Sequence, residues 1–262
     1  PVQSIDELLR YVPGVEVQSR GPMGAQADFT IRGGTFQQVL VILDGIRLND
    51  PLTGHFSSYI PISPAEIDRI EVLKGASSAI YGTEAVGGVV HIISKTFAAK
   101  KNTNGHKINA QLTAGDYGLF NVQAGAFLHQ KNTTASVGVM TNNTNGQQLR
   151  GTKGYFNLTT ISASIKQALS ENTSVAYRFG YDDRDFNAQN FYTTTPFDSA
   201  TESVISRWHH IKFLHKKNKH SFSFDAGYKQ ADDVYRFRKA VSANVNNSSL
   251  LQALAIHDYS IN

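Results

Sequence analysis

The sequence predicts a small α/β domain followed by an antiparallel β-sheet of the kind that walls a transmembrane barrel. Three observations carry this reading. Residues 70–95, IEVLKGASSAIYGTEAVGGVVHIISK, run as apolar strand, Gly turn, small-residue segment, Gly pair and β-branched strand, a compact α/β order. From about residue 105 the pattern changes to alternation, with Val175, Tyr177, Phe179 and Tyr181 set against Ala176, Arg178, Gly180 and Asp182. One face is apolar and aromatic and the other polar, small or charged, which suits a strand with lipid on one side and water on the other. Finally, short breaks at 130–132, 170–172 and 216–219 alternate with long polar ones at 142–154, 187–202 and 232–249, as periplasmic turns and extracellular loops do.

Taken in order, Ser4 is placed to cap a helix over 5–11, with Asp6 and Glu7 in its first turn and Pro13-Gly14 ending it. Residues 15–18 alternate as a short strand, and 29–31 form a second. Residues 39–43 are wholly apolar and read as a buried strand ended by Asp44-Gly45. Residues 49–64 form a long loop with three prolines, then a short helix starts at Pro64 with Ser63 as its cap. Strand 70–73 follows, then a helical segment near 76–81, then strand 89–93 after a tight crossover at Gly87-Gly88. This gives a first domain over 1–96, a polar linker over 97–104 and a β-sheet of about eight strands over 105–262.

Composition narrows the function. No cysteine is present, so disulfide frameworks and thiolate metal sites are excluded. No apolar run approaches the ~18 residues a membrane helix needs, which leaves barrel strands untouched. Residues 1–96 carry 7 Lys+Arg against 10 Asp+Glu, net −3, and the remainder carries 18 against 11, net +7. The basic excess forms no stripe with regular aromatic interleaving, so nucleic acid is not an expected partner. Gly75-Ala76-Ser77-Ser78-Ala79 lacks the second glycine of a nucleophile elbow and the Gly-Lys-Ser/Thr ending of a P-loop. No catalytic residue and no enzyme activity is expected, although Ser77 or Ser78 with His91 is the arrangement a hydrolase would need.

The N-terminal motifs do resemble a specific family. Val12-Pro13-Gly14, Ile31-Arg32-Gly33-Gly34, the run 39–45 into Ile46-Arg47-Leu48-Asn49, Ile67-Asp68-Arg69-Ile70-Glu71-Val72, Tyr81-Gly82 and Gly87-Gly88 occur in one order over the first 95 residues. Together they resemble the plug domain of TonB-dependent outer-membrane receptors, closest to the cobalamin receptor subgroup. Ala76 departs from the proline usual there. The resemblance implies an α/β plug inside a transmembrane antiparallel β-barrel of a Gram-negative outer membrane. Plugged barrels of this kind use about 22 strands, so the sequence is read as the plug and the first eight or so strands, beginning and ending inside a longer protein. A soluble α/β-plus-β binding protein is the alternative.

The implied function is TonB-dependent import of a scarce large nutrient, a cobalamin or corrinoid first, a ferric siderophore or haem second. The implied partners are the inner-membrane TonB complex, that nutrient, outer-membrane lipid and a surface lipoprotein. The implied substrate contacts are Asp28, Thr35, Thr53 and Gly54 in the plug's upper loops, with the loop rings Phe36, His55 and Phe56 beside them, and Phe186 and Asn187 from the barrel. Arg32, Arg69, Glu71 and Lys74 are the candidate plug–barrel ion pairs. Tyr177, Tyr181, Trp208, Tyr228 and Tyr259 are candidates for the interfacial aromatic girdle. No cofactor is expected; Asp182, Asp183, Asp185 and Asp198 are weak calcium candidates, and Asn187 replaces the aspartate that the cobalamin receptor places in the matching pair. His209 and His215 share a strand face six residues apart, about 20 Å, too far for one zinc.

Overall fold

The computed structural model describes residues 4–21, 25–50, 54–75, 81–82, 84–99, 104–149 and 151–261. Helix α1 (Ile5–Leu9) is shorter than the sequence predicts, and Ser4 makes no side-chain capping bond. It is held instead by burial of Ile5 and Leu9 in the plug core. Strands β1 (Val15–Ser19) and β2 (Ala27–Ile31) pair antiparallel, with Val15 opposite Ile31. Strands β3 (Val39–Leu43), β4 (Ile46–Arg47), β5 (Ile67–Lys74) and β6 (Gly88–Ser94) form a mixed sheet in the order β4-β3-β6-β5. Its parallel pair is β3 with β6. β3 is wholly apolar and β6 is apolar apart from His91 and Ser94, as suits a parallel pair covered on both faces. Gly88 permits the close approach of β5: a Cβ there would lie 2.4 Å from the Leu73 carbonyl oxygen.

Two 3₁₀ turns, Gly54–Ser58 and Pro64–Glu66, lie in the segment between β4 and β5. Ser63 caps the second, accepting from the Ala65 amide at 3.4 Å, as the sequence predicts. Helix α2 (Lys95–Ala98) spans the point where the linker was expected to begin, and residues 100–103 of that linker lie outside the described residues. So does the helical segment expected near 76–81, apart from Tyr81.

Eight strands follow: β7 (Gly105–Gly115), β8 (Leu119–Gln130), β9 (Thr133–Thr144), β10 (Phe156–Ala168), β11 (Thr173–Asn187), β12 (Thr201–Lys217), β13 (His220–Arg236) and β14 (Asn244–Tyr259). They form one antiparallel meander, and β7 and β14 are its open edges. β13 and β14 run further than the polar sequence suggested, so the loop expected over 232–249 shrinks to 237–243. The alternation resolves as an inverted surface. Ile108 and Leu251 are 80% and 79% exposed on the outer face, while Asn121, Asn142, Thr160 and Ser162 are fully buried on the inner one. Tyr177, Phe222, Phe224, Tyr228 and Tyr259 face outward and are exposed. Trp208 corrects the girdle assignment. Even-numbered positions of β12 turn inward, so Trp208 is 5% exposed and joins the plug core, with the Lys229 ammonium 5.0 Å from its ring centroid.

The plug sits in a trench on this inner face. Gly125, Gly138, Ser162, Gly180 and Trp208 stand opposite one another across β8 to β12. Plug residues 61–66 fill the space the missing side chains leave. A Cβ at Gly125 would lie 2.6 Å from Ala65 Cβ, at Gly138 2.6 Å from Ser63 Cβ, and at Gly180 2.7 Å from the Pro61 carbonyl oxygen. Glu66 closes the seat by accepting from the Ser136 hydroxyl at 2.6 Å and from the Ser162 hydroxyl.

The central tie is Asp44 with Arg178. Asp44 stands in the turn after β3 at φ +53°. Its carboxylate accepts from the Ser94 amide and hydroxyl, each at 2.8 Å, and from Arg178 Nε at 2.9 Å. Both side chains of this ion pair are buried. Lys229 donates to Asp50, Lys166 donates to the Phe97 and Ala99 carbonyls at 3.2 Å, and Gln252 donates to the Arg47 carbonyl at 2.8 Å. The four candidate ion-pair residues lie elsewhere. Arg69 donates to Glu71 at 2.7 Å and to Asp68 at 2.9 Å on the edge strand β5, with all three half-exposed. Lys74 lies beside Gly14 and Arg32 beside Gly75. The acids that tie the plug to the wall among the described residues are therefore Asp44, Asp50 and Glu66. Each is an acid next to a turn, whose burial depends on where the wall comes to lie.

Two outcomes follow. Asp44→Asn leaves the Arg178 guanidinium buried without its anion, a loss of about 3 kcal/mol or more. Amide exchange in β3 and β6 should accelerate by roughly 100-fold, and adding Arg178→Met should recover part of that loss. His91, on β6, has its imidazole pushed below the usual value, chiefly by burial and against the charges of Asp44 and Glu71. A lowered folded-state pKa means that its contribution is present above the unfolded value of about 6.5 and lost as pH falls through it. Exchange protection of β6 should therefore drop from pH 7 to pH 5, and His91→Gln should flatten that dependence.

Candidate functional site

The candidate site lies at the end of the wall that carries the long loops, between the plug's upper loops and β12–β14. A cavity of about 400 Å³ opens there, lined by Asp50 and His55 of the plug, Tyr192 of the loop after β11, and Glu202, Tyr235 and Asn246 of the wall. His55 is its centre. The Phe36 ring stacks on the imidazole, centroids 4.4 Å apart at 27°, and Tyr192 lies 5.9 Å from the imidazole on the cavity side. Gly54 allows the stack, since a Cβ there would stand 2.7 Å from Phe36 Cε2. The two residues are brought together by adjacent 3₁₀ turns, Phe36–Gln38 and Gly54–Ser58. The first is fixed by a capping box in which the Thr35 side chain and Gln38 bond each other's backbone amides.

Beneath His55 lies an ion cluster. Asp28 is 1% exposed and stands 3.0 Å from His55 Nδ1, while Arg20 donates to it through Nε at 3.2 Å and Nη2 at 3.0 Å. Arg20 also donates to the Phe191 carbonyl, and its guanidinium lies 5.7 Å from the Tyr192 ring centroid. Tyr192 is thereby tied to the plug. Its hydroxyl accepts from Gln26 Nε2 at 2.9 Å and donates to Glu202 at 2.9 Å, and its ring meets Tyr235 edge-on at 5.3 Å. Burial and the neighbouring Glu202 carboxylate push the Tyr192 phenol far above its ordinary value, so it stays protonated. The result is a ring-lined hollow with carboxylate and carboxamide groups at its rim. It can hold a ligand with a flat or apolar face and hydrogen-bonding edges; it offers no activated nucleophile.

The sequence-expected residues divide. Phe36, Gly54 and His55 converge. Asp28 belongs to the site but lies under His55 rather than at its surface, and Thr35 uses its hydroxyl in the capping box. Thr53 and the Phe56 side chain lie outside the described residues. Phe186 is a correction: it is fully buried, stacked on Phe191 at 5.8 Å and packed with Phe156, Leu158 and Tyr59. It props up the loop after β11 and presents no surface to a ligand. Asn187 is likewise occupied, donating to the Thr152 hydroxyl at 3.1 Å and accepting from the Gln189 amide at 3.1 Å. Arg20, Gln26, Tyr192, Glu202 and Tyr235 were missed. Their partners stand up to 171 residues away in sequence, and only the aromatic pair Phe191-Tyr192 in a long loop hinted at them.

The four calcium candidates do not converge. Asp182 and Asp183 point to opposite faces of β11. Asp182 accepts from Arg184 and, at 2.6 Å, from the Thr160 hydroxyl. Asp185 accepts from Tyr155 at 3.2 Å, and Asp198 accepts from the Asn190 and Ala200 amides at 2.7 and 2.8 Å. Among the described residues no group of three or more His, Asp or Glu is arranged to hold a metal ion.

Comparison with known proteins agrees with this architecture. Residues 1–89 match the family model described as "TonB-dependent Receptor Plug Domain". The vitamin B12 transporter BtuB of Vibrio cholerae serotype O1 (strain ATCC 39315 / El Tor Inaba N16961) is 35% identical over 130 residues, which cover 49% of this chain and 20% of that relative. The alignment thus spans about a fifth of the curated relative's length. Among solved structures, the siderophore receptor PiuA from Acinetobacter baumannii superposes with a TM-score of 0.72 at 19% identity, covering 99% of this chain and 40% of PiuA. The siderophore receptor PirA from the same organism gives 0.73 at 16% identity, covering 97% and 43%. These structures share the fold.

Gly54→Ala drives a methyl group into Phe36 and should cost about 1–3 kcal/mol through overpacking. The expected result is a lower thermal midpoint and loss of the Phe36–His55 ring-current shift in the NMR spectrum of the His55 protons. Gly105→Ala, at a glycine with nothing within 4 Å of the added Cβ and no positive φ, should leave that shift in place.

Proposed function

We propose that this chain, a TonB-dependent receptor plug domain joined to the first strands of its outer-membrane barrel, serves the energised import of a scarce, large nutrient, and that the nutrient is a corrinoid. The reading rests on one observation above the others. The hollow takes His55 and Asp50 from the plug and Tyr192, Glu202 and Tyr235 from the wall and its loop, so a plug that shifts also dismantles the site. Ligand capture and release are thereby tied to the same movement.

The family is one of receptors and transporters, not enzymes. The work of opening comes from the inner-membrane TonB complex, which pulls on the plug. The polar ties at Asp44, Asp50 and Glu66 suit such a device, because water can replace a hydrogen bond as it breaks. A corrinoid is supported by the similarity to vitamin B12 transporters, and by chemistry: a flat macrocycle edged with amides fits rings flanked by carboxylate and carboxamide groups. A ferric siderophore or haem is the second reading, favoured by the fold shared with PiuA and PirA across nearly the whole chain. A soluble binding protein fits poorly, since Ile108 and Leu251 would stand bare in water. Phe197, exposed at the tip of the loop after β11, is where a surface lipoprotein would seat.

The test is uptake by cells that lack their own corrinoid and siderophore receptors and express the full-length protein. Labelled cyanocobalamin should accumulate only when TonB is present, and His55→Ala should weaken binding by roughly tenfold through loss of a stacked pair. Uptake of a ferric chelate without cobalamin uptake would move the assignment to the second reading. TonB-independent accumulation would sink import of this type.

A further inference from the structure

The outer surface of β12–β14 carries a second constellation, at the end with the short turns. Register places it row by row. In the outermost row Lys217 stands opposite His220, and His220 opposite Tyr259, with Lys219 in the turn between. In the next, Phe222 stands between His215 and His257; one row further in, Phe224 stands beside Phe213. The side chains on the paired strands share the outward face, because facing residues of paired strands point the same way, and Lys219 stands in the turn that joins β12 to β13 at the same edge. Lys217, Lys219 and His220 are exposed, as are Phe222 and Phe224. The imidazoles of His220 and His257 stack at 5.2 Å and 15°, with Nδ1 of the first 3.0 Å from Nε2 of the second. Whichever ring donates that bond, one N–H of the pair is left over. At this end of the three strands no carboxylate shares the face: Asp258, opposite Ser221, points inward, and Glu171 belongs to the neighbouring turn.

Two ammonium groups, a spare imidazole N–H and an aromatic slope toward the membrane centre match one kind of molecule. We propose that this rim binds an anionic phospholipid of the periplasmic leaflet, of the phosphatidylglycerol class. Its phosphodiester sits among Lys217, Lys219 and the His220–His257 pair, and its acyl chains lie along Phe222, Phe224 and Phe213. Charge complementarity selects the headgroup, and the rings continue the lipid-facing surface without a break. The inference rests on the barrel reading, in which short turns are periplasmic.

The experiment uses the full-length receptor, purified and delipidated in detergent, then mixed with vesicles of phosphatidylethanolamine alone or with one-fifth phosphatidylglycerol. Retained lipid is measured by native mass spectrometry. The wild type should retain phosphatidylglycerol over phosphatidylethanolamine by about fivefold or more, and millimolar inorganic phosphate should not displace it. Lys217→Gln/Lys219→Gln should remove most of the preference, and adding His220→Gln/His257→Gln should abolish it. Lys239→Gln, in a loop at the opposite end, should leave it intact. Equal retention of both lipids by the wild type, or an undiminished preference in the fourfold variant, overturns the proposal. Heat-modifiable migration on gels shows that each variant keeps its barrel. A protein that partitions into water without detergent would sink the barrel reading itself, a separate outcome from a folded barrel with no lipid preference.

Discussion

A plug inside a barrel has to be held without being glued, and the Asp44–Arg178 pair shows how that is met. The plug completes its own apolar core around β3 and β6, and among the described wall residues that core takes in only Trp208. Elsewhere the plug meets the wall through acid, hydroxyl and backbone groups and through an apolar patch, where Ala25 and Tyr59 pack with Phe156, Leu158 and Phe186. A buried ion pair adds little net stability over a well-packed apolar contact, yet losing one partner is costly. Such a contact is therefore better at fixing position than at adding strength. Asp44 fixes it twice, because Ser94 of β6 and Arg178 of β11 share the same carboxylate. The turn that ends the plug's central strand is thus also its attachment to the wall.

The wall's inner surface answers to the same constraint. Hydroxyl and amide side chains that would be wet in an open channel are covered by plug, and many find partners there, as Ser136 and Ser162 do on Glu66. The outer surface has no such need, and leaves Ile, Leu, Phe and Tyr in view. The burial pattern is therefore the reverse of a soluble sandwich, although the strands and turns look alike.

Much of this was legible in the sequence because periodicity is local. Alternation gave eight strands and told the two faces apart, and the unbroken apolar run of β3 marked a strand covered on both sides. Trp208 was misplaced because size and aromaticity suggested an interface, whereas its even-numbered register decided its side. The third long loop was overestimated since the largely polar residues at 232–236 and 244–249 belong to the ends of β13 and β14, where backbone pairing carries the strand without an apolar alternation. At the candidate site, Phe36, Gly54 and His55 could be read as a loop cluster within one domain. The Arg20–Asp28 base and the Tyr192–Glu202 arm could not, as they depend on two distant segments meeting. Phe186 was misjudged for a related reason: an aromatic at a strand's end looks like a ligand contact until a loop is seen folded over it.

The glycine row on the wall has an engineering corollary. With glycine at three of the positions along one lateral line, the wall offers a keyway, and the ridge at 61–66 is the key that fills it. A chimera that grafts a foreign plug onto these strands has to import a matching ridge. Otherwise the new cork will seat at the wrong azimuth and leave an ion-permeable gap.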